Sequence, residues 1–126
     1  MRVVKRFKFD AAHKLVYYVG DCSRLHGHTW FLDVEVEGPV DSGGFVMDFV
    51  ELKKLVNEKV IARIDHNYLN DLFGEGFVPT CENLLTKFWG TLDSFGPPWK
   101  LSRLRLYEGG SLDSYAELLR KDVHGE

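Results

Sequence analysis

An α+β domain, with a four-stranded antiparallel sheet and two helices over one of its faces, is the fold class this sequence predicts. Three observations carry that prediction. Residues 3–9, 28–36 and 101–108 alternate apolar and charged side chains, the period of a half-buried strand. Between the second and third of these lie two stretches whose apolar residues return at helical spacing. Turn residues separate the segments, at Gly38-Pro39, Ser42-Gly43-Gly44, Gly96-Pro97-Pro98 and Gly109-Gly110.

In the first strand Val3, Phe7 and Phe9 share one side and Arg2, Arg6 and Lys8 the other, with Val4 and Lys5 breaking the pattern. If the strand stays regular through Ala11, His13 continues its apolar side. The second strand is cleaner. Trp30, Leu32, Val34 and Val36 point one way, Asp33, Glu35 and Glu37 the other, and His26 and His28 are in phase with the apolar set. Asp48 opens the first helix, with Glu51 three residues on as a capping box, and Phe49, Leu52, Val56 and Val60 form its buried stripe. Pro79 and Thr80 announce the second helix, which carries Leu84, Leu85, Phe88 and Leu92. The chain returns to strand with Leu104 and Leu106 alternating against Arg103 and Arg105. After Gly109-Gly110 a last strand presents Leu112, Ala116 and Leu118. The order is β-β-α-α-β-β, with two unpaired sheet edges that oligomerisation could cover.

A chain of 126 residues with 44% hydrophobic and 13% aromatic content is expected to form one globular domain over 1–126. Net charge is −3 with both signs interleaved, so no nucleic-acid partner is expected. No apolar run approaches the roughly 20 residues of a membrane helix, so no membrane partner is expected either. The N-terminus returns quickly to charge and lacks a signal-peptide core, which makes a cytoplasmic location the expectation. There Cys22 and Cys81 would stay reduced rather than form a disulfide.

The chemistry concentrates in Cys22-Ser23-Arg24-Leu25-His26-Gly27-His28. His26 and His28 project together from an extended backbone, with Gly27 removing bulk between them, and His13 could join them from the neighbouring strand. Three imidazoles with an open fourth position make a catalytic zinc arrangement; the plain alternative is three hydrogen-bonded imidazoles at a core edge. Arg24 and a nearby metal favour a Cys22 thiolate, and Asp21 opposes one. Asp65-His66 can shuttle protons near neutral pH without being a direct pair, since adjacent side chains rarely bond; alternatively Asp65 or Asn67 caps the helix end and His66 is surface. Glu108, in phase with Leu104 and Leu106, needs a partner, either an aminopyrimidine edge or an Arg. Thr80-Cys81-Glu82 reads as a helix N-cap with an acidic first turn.

These segments together resemble the 6-pyruvoyltetrahydropterin synthase / 6-carboxytetrahydropterin synthase family. The similar stretches are Phe9-Asp10-Ala11-Ala12-His13, Cys22-x-x-x-His26-Gly27-His28, Val46-Met47-Asp48-Phe49, Ile64-Asp65-His66-Asn67-Tyr68-Leu69-Asn70, Pro79-Thr80-Cys81-Glu82-Asn83 and the strand ending at Glu108. The resemblance implies a tunnelling fold (T-fold), in which three subunits join sheets into a twelve-stranded barrel and two trimers stack as a hexamer with interfacial active sites. It implies that His13, His26 and His28 bind zinc and that Cys22 is the catalytic thiol, with Asp65 and His66 as its proton relay. It further implies that Glu108 anchors the pterin ring, with Thr80 nearby.

The short gap between Cys22 and His26-Gly27-His28 resembles the bacterial 6-carboxytetrahydropterin synthases of queuosine (7-deazaguanine) synthesis. These convert a pterin triphosphate, 7,8-dihydroneopterin triphosphate, to 6-carboxytetrahydropterin, acetaldehyde and triphosphate. Competing readings are a sister activity on the same substrate, or a pterin- or metal-binding module without catalysis. One departure bears on the ring site: Gly109-Gly110 follows Glu108 where many relatives have Thr.

Overall fold

A computed structural model of the chain describes residues 1–15, 20, 24–94 and 96–125. Strand β1 (Arg2–His13) pairs antiparallel with β2 (His26–Glu37), which pairs with β4 (Lys100–Tyr107), which pairs with β5 (Tyr115–Leu119). The four expected strands and their antiparallel pairing are therefore present. A fifth, β3 (Asn67–Tyr68), adds two residues parallel to β1 at the far edge, giving the order β3-β1-β2-β4-β5. It is too short to leave a periodic signature. Leu112 lies outside β5, in the preceding turn with φ 58°, so only Ala116 and Leu118 of the expected trio pack against the core.

The first helix starts as α1 (Phe49–Val56), passes through a π-helical stretch at Asn57–Ile61 and ends as α2 (Ala62–Ile64). Asp48 caps it by accepting from the Val50 N–H at 2.8 Å. Leu52, Val56 and Val60 are buried as expected, but Phe49 is 51% exposed. A residue at the first helical position precedes the turn that meets the sheet, so its phase alone does not bury it. Helix α3 (Cys81–Leu92) buries Leu84, Leu85, Phe88, Trp89 and Leu92, and the Thr80 hydroxyl caps it by accepting from the Asn83 N–H at 3.1 Å. The segment after β5, for which the sequence offers no account, forms α4 (Arg120–His124). It docks on the end of α3, where Asp93 receives Arg120 at 3.3 Å and His124 at 2.7 Å.

Both helices cover the face bearing Phe7, Phe9, Trp30, Leu32, Leu104 and Leu106, all buried. The other face is charged but not uniformly open. Asp33 and Glu35 are only 8% and 7% exposed. Arg6 grips Asp33 with two bonds of 2.7 and 3.0 Å, while Ser102 and Arg103 meet Glu35 at 2.9 and 3.1 Å. Long arginine stems from neighbouring strands lie across these short acids, which is why a polar phase does not mean exposure here. A 460 Å³ groove near the start of β1, at the opposite end of that strand from His13, is walled by Arg2, Glu35, Ser102 and Arg103.

Trp30 ties the core to the histidines. It is fully buried, stacks on Phe9 at 5.8 Å and donates from Nε1 to the Ala11 carbonyl at 3.1 Å. Its ring also lies edge-on to His13 and His28, at 5.0 and 5.4 Å. Trp30→Ala is expected to cost about 3–5 kcal/mol in urea unfolding, since no neighbour can fill the space. A loss under about 1 kcal/mol would contradict this packing.

Candidate metal centre and active site

The β1–β2 register pairs His13 with His26 and Ala11 with His28, so alternation puts all three imidazoles on the helix-covered face. Their ring centroids are 4.5, 5.2 and 4.7 Å apart. His13 is completely buried, and its Nδ1 lies 2.9 Å from the Pro79 carbonyl. His26 Nδ1 lies 2.6 Å from the Arg24 carbonyl. A carbonyl only accepts, so both rings carry their proton on Nδ1 and turn an Nε2 lone pair inward. This is the outer bond that orients a metal-ligating histidine. His13 Nε2 and His28 Nε2 are buried without a hydrogen-bond partner among the described residues. Orphaned buried nitrogens of this kind call for a cation, so the donor set fits a zinc ion; the plain alternative holds in part, since His13 and His26 are each hydrogen-bonded through Nδ1.

Gly27 is not needed for bulk between the imidazoles. Its missing side chain would point to the opposite face, and among the described residues a Cβ there would meet only the Ala11 carbonyl, at 3.9 Å.

Glu108 sits one residue beyond β4. Continuing the Phe31–Tyr107 register puts it beside Trp30, on the face of the histidines. Its Oε1 is 3.0 Å from His28 Nε2 and 3.8 Å from His13 Nε2. The first contact is close but lacks hydrogen-bond alignment, which is why His28 Nε2 still counts as orphaned. No arginine pairs with Glu108 among the described residues, so the ordinary salt bridge is not its partner. Its Oε2 instead faces the Cys81 thiol at 3.8 Å. Burial pushes that thiol up to about 12, aided by the Glu108 charge, so it is a protonated donor. The sequence shows Thr80-Cys81-Glu82 only as an N-cap with an acidic first turn and carries no local signal of this contact. Thr80 serves as the N-cap, and the preceding Pro79 carbonyl is what holds His13.

Asp65 and His66 do touch. His66 adopts a left-handed φ of 61°, which turns its Nδ1 to 3.1 Å from Asp65 Oδ2 and overrides the usual separation of adjacent side chains. β1 clamps the pair through Asp10, whose N–H donates to Asp65 Oδ1 at 2.9 Å and whose carbonyl accepts from the His66 N–H at 2.6 Å. The Asp10 N–H, with the His66 bond, holds the Asp65 carboxyl below its ordinary range. Part of the plain reading holds too: Asn67 Nδ2 donates to the Arg63 carbonyl at the helix end, and the His66 side chain is 77% exposed. The Asp10 carboxylate, 2.5 Å from Thr29 Oγ1, projects from the face of β1–β2 opposite to Ala11 and His28. Within one chain the dyad therefore groups with Asp10 on that face, and His66 lines a 600 Å³ cleft together with Thr29, Tyr68 and His28. Cys22 lies outside the described residues.

Burial lowers the His13 imidazole, against the raising effects of Pro79 and Glu108, and burial also lowers His28. Between those depressed values and about 6.5 the unfolded chain binds more protons than the folded one. Stability is thus fully present above about pH 6.5 and lost as pH falls through the depressed values. Urea midpoints of the metal-free protein are expected to drop on going from about pH 8 to about pH 5, and a flat profile would contradict the assignment.

Comparisons with known proteins converge on one group. Residues 2–121 match the family described as 6-pyruvoyl tetrahydropterin synthase. The dihydroneopterin monophosphate aldolase of Pyrococcus furiosus is 39% identical over 109 residues, covering 86% of this chain and 90% of its own. The 6-carboxy-5,6,7,8-tetrahydropterin synthase of Synechocystis is 37% identical over 101 residues, covering 76% and 78%. The 6-pyruvoyl tetrahydropterin synthase structure from Caenorhabditis elegans superposes with a TM-score of 0.81 at 25% identity over 94% of each chain.

Proposed function

The chain belongs to the 6-pyruvoyl tetrahydropterin synthase family, and from that premise we propose that it is a zinc-dependent 6-carboxytetrahydropterin synthase. It would act on 7,8-dihydroneopterin triphosphate in the queuosine pathway, in the cytoplasm. The observation that carries the proposal is the inward convergence of His13, His26 and His28, with two buried Nε2 atoms that no protein group satisfies among the described residues. The short spacing from Cys22 to His26-Gly27-His28 favours the carboxy product.

His13, His26 and His28 would hold the zinc. When bound, the metal supplies Lewis acidity to the side-chain hydroxyl oxygens of the substrate. Glu108 would accept from the amino edge of the pterin ring, at the mouth of a 590 Å³ cleft lined by Cys81, Glu82, Ser114 and Tyr115. Thr80 keeps the α3 terminus in place beside it. Cys22 would move the side-chain protons, a role that needs a thiolate free of the metal. Asp65 and His66 would reset it from solvent. Because the dyad groups with Asp10, whose side chain leaves β1 on the face opposite to the three imidazoles, it would serve a neighbouring subunit in a trimer or hexamer. Edge-to-edge joining of sheets would supply that contact, through β5 on one side and the stretch of β1 before Ala11 on the other.

Incubation of zinc-loaded protein with dihydroneopterin triphosphate tests the reading. Acetaldehyde and 6-carboxytetrahydropterin should appear together. The aldolase relative favours a second reading, cleavage to 6-hydroxymethyl-dihydropterin, which would consume substrate without acetaldehyde. A pyruvoyl product would point to the third sister activity. No consumption of this triphosphate, or of the dihydroneopterin monophosphate for which the aldolase relative is named, would leave a pterin- or metal-binding module.

A further inference from the structure

We propose that Glu108 is the fourth ligand of the metal in the substrate-free protein, oriented by the Cys81 thiol, and that it must leave the metal before a pterin can bind. The inference rests on the three-histidine reading above and adds a residue to it.

Four potential ligand atoms, from His13, His26, His28 and Glu108, lie within 4.8 Å of one another. Glu108 Oε1 stands 3.0 Å from His28 Nε2 and 3.8 Å from His13 Nε2. These distances bracket the edge of about 3.3–3.6 Å expected in a tetrahedron with bonds of about 2.0–2.2 Å. The grouping sets a carboxylate oxygen against two unpartnered ring nitrogens, without hydrogen-bond alignment between them. The Pro79 bond at Nδ1 makes His13 Nε2 a lone-pair acceptor, and it repels the carboxylate oxygen unless a cation sits between them.

Two features hold the carboxylate there yet let it leave. Cys81, half-buried at the start of α3, lies 3.8 Å from Oε2 through its Sγ and so aims Oε1 at the histidines. β4 ends at Tyr107, and Gly109 follows at φ 134°, so the backbone of Glu108 is outside the strand ladder. The side chain is 31% exposed toward the cleft through which a ring would enter. Anchoring a pterin edge needs both carboxylate oxygens, and in this arrangement both are engaged. The resting metal is therefore closed by four protein ligands, and substrate opens it by drawing Glu108 away.

The test uses the full chain loaded with cobalt(II) as a visible stand-in for zinc, together with zinc affinity measured against a competing chelator. Glu108→Gln and Glu108→Asp are both expected to shift the cobalt ligand-field bands and to weaken zinc binding by about 10-fold or more. Dihydroneopterin, which lacks the triphosphate, should shift the wild-type bands toward those of the variants. Retention of charge in Glu108→Asp separates ligation from simple electrostatic attraction. Unchanged bands and affinity in both variants, with one metal per wild-type chain, would overturn the role of Glu108 and leave the histidine site standing. Failure of the wild type to bind metal would overturn both.

Discussion

His26→Ala is expected to abolish metal retention and, with it, turnover of dihydroneopterin triphosphate. The ring is partly exposed at the start of β2, so its loss leaves the core intact and the far-ultraviolet circular dichroism unchanged. Removing an outer partner of a metal-bound histidine costs about 10- to 100-fold in affinity, and deleting the ligand itself should cost more than about 100-fold. Metal content after gel filtration is the decisive readout. A variant that keeps one zinc per chain would show that His13, His28 and Glu108 suffice, and that His26 is a bystander.

Cys22→Ala should separate chemistry from metal binding. If the thiolate carries protons rather than ligating zinc, the variant keeps its metal while kcat falls by about 10²- to 10⁴-fold. Among the described residues the ring nitrogens of His13, His26 and His28, with Glu108, offer four candidate donors. Simultaneous loss of zinc and activity would assign Cys22 to the metal and remove it as a proton carrier. Mixing experiments extend the same logic. If Asp65 and His66 serve a neighbouring subunit, co-assembled Cys22→Ala and His66→Ala chains should regain part of the activity that each lacks alone.

Much of the fold was legible because its signals are local. Alternation in β1, β2 and β4 follows from a two-residue period, and the Asp48 and Thr80 caps follow from side chains bonding within three residues. The common face of His26 and His28 is of the same kind. Less local features were not legible. Phe49 carries the helical phase but lies above the contact with the sheet, and the π-helical stretch at Asn57–Ile61 leaves no mark in composition. Asp33 and Glu35 look like solvent-facing acids until the arginines of adjacent strands cover them.

The candidate site divides along the same line. By itself the sequence determined the family pattern, the residue types and the strand phase that lets three imidazoles converge, because each depends on order and spacing along one chain. Only the tertiary structure decided which ring nitrogen faces inward, since the bond that fixes the His13 tautomer comes from Pro79, 66 positions away. It also decided that Glu108 meets histidines and Cys81 rather than an arginine, and that a left-handed His66 reaches Asp65 on the far side of the sheet. Register and packing between distant segments set those contacts, and spacing along the chain carries no record of them.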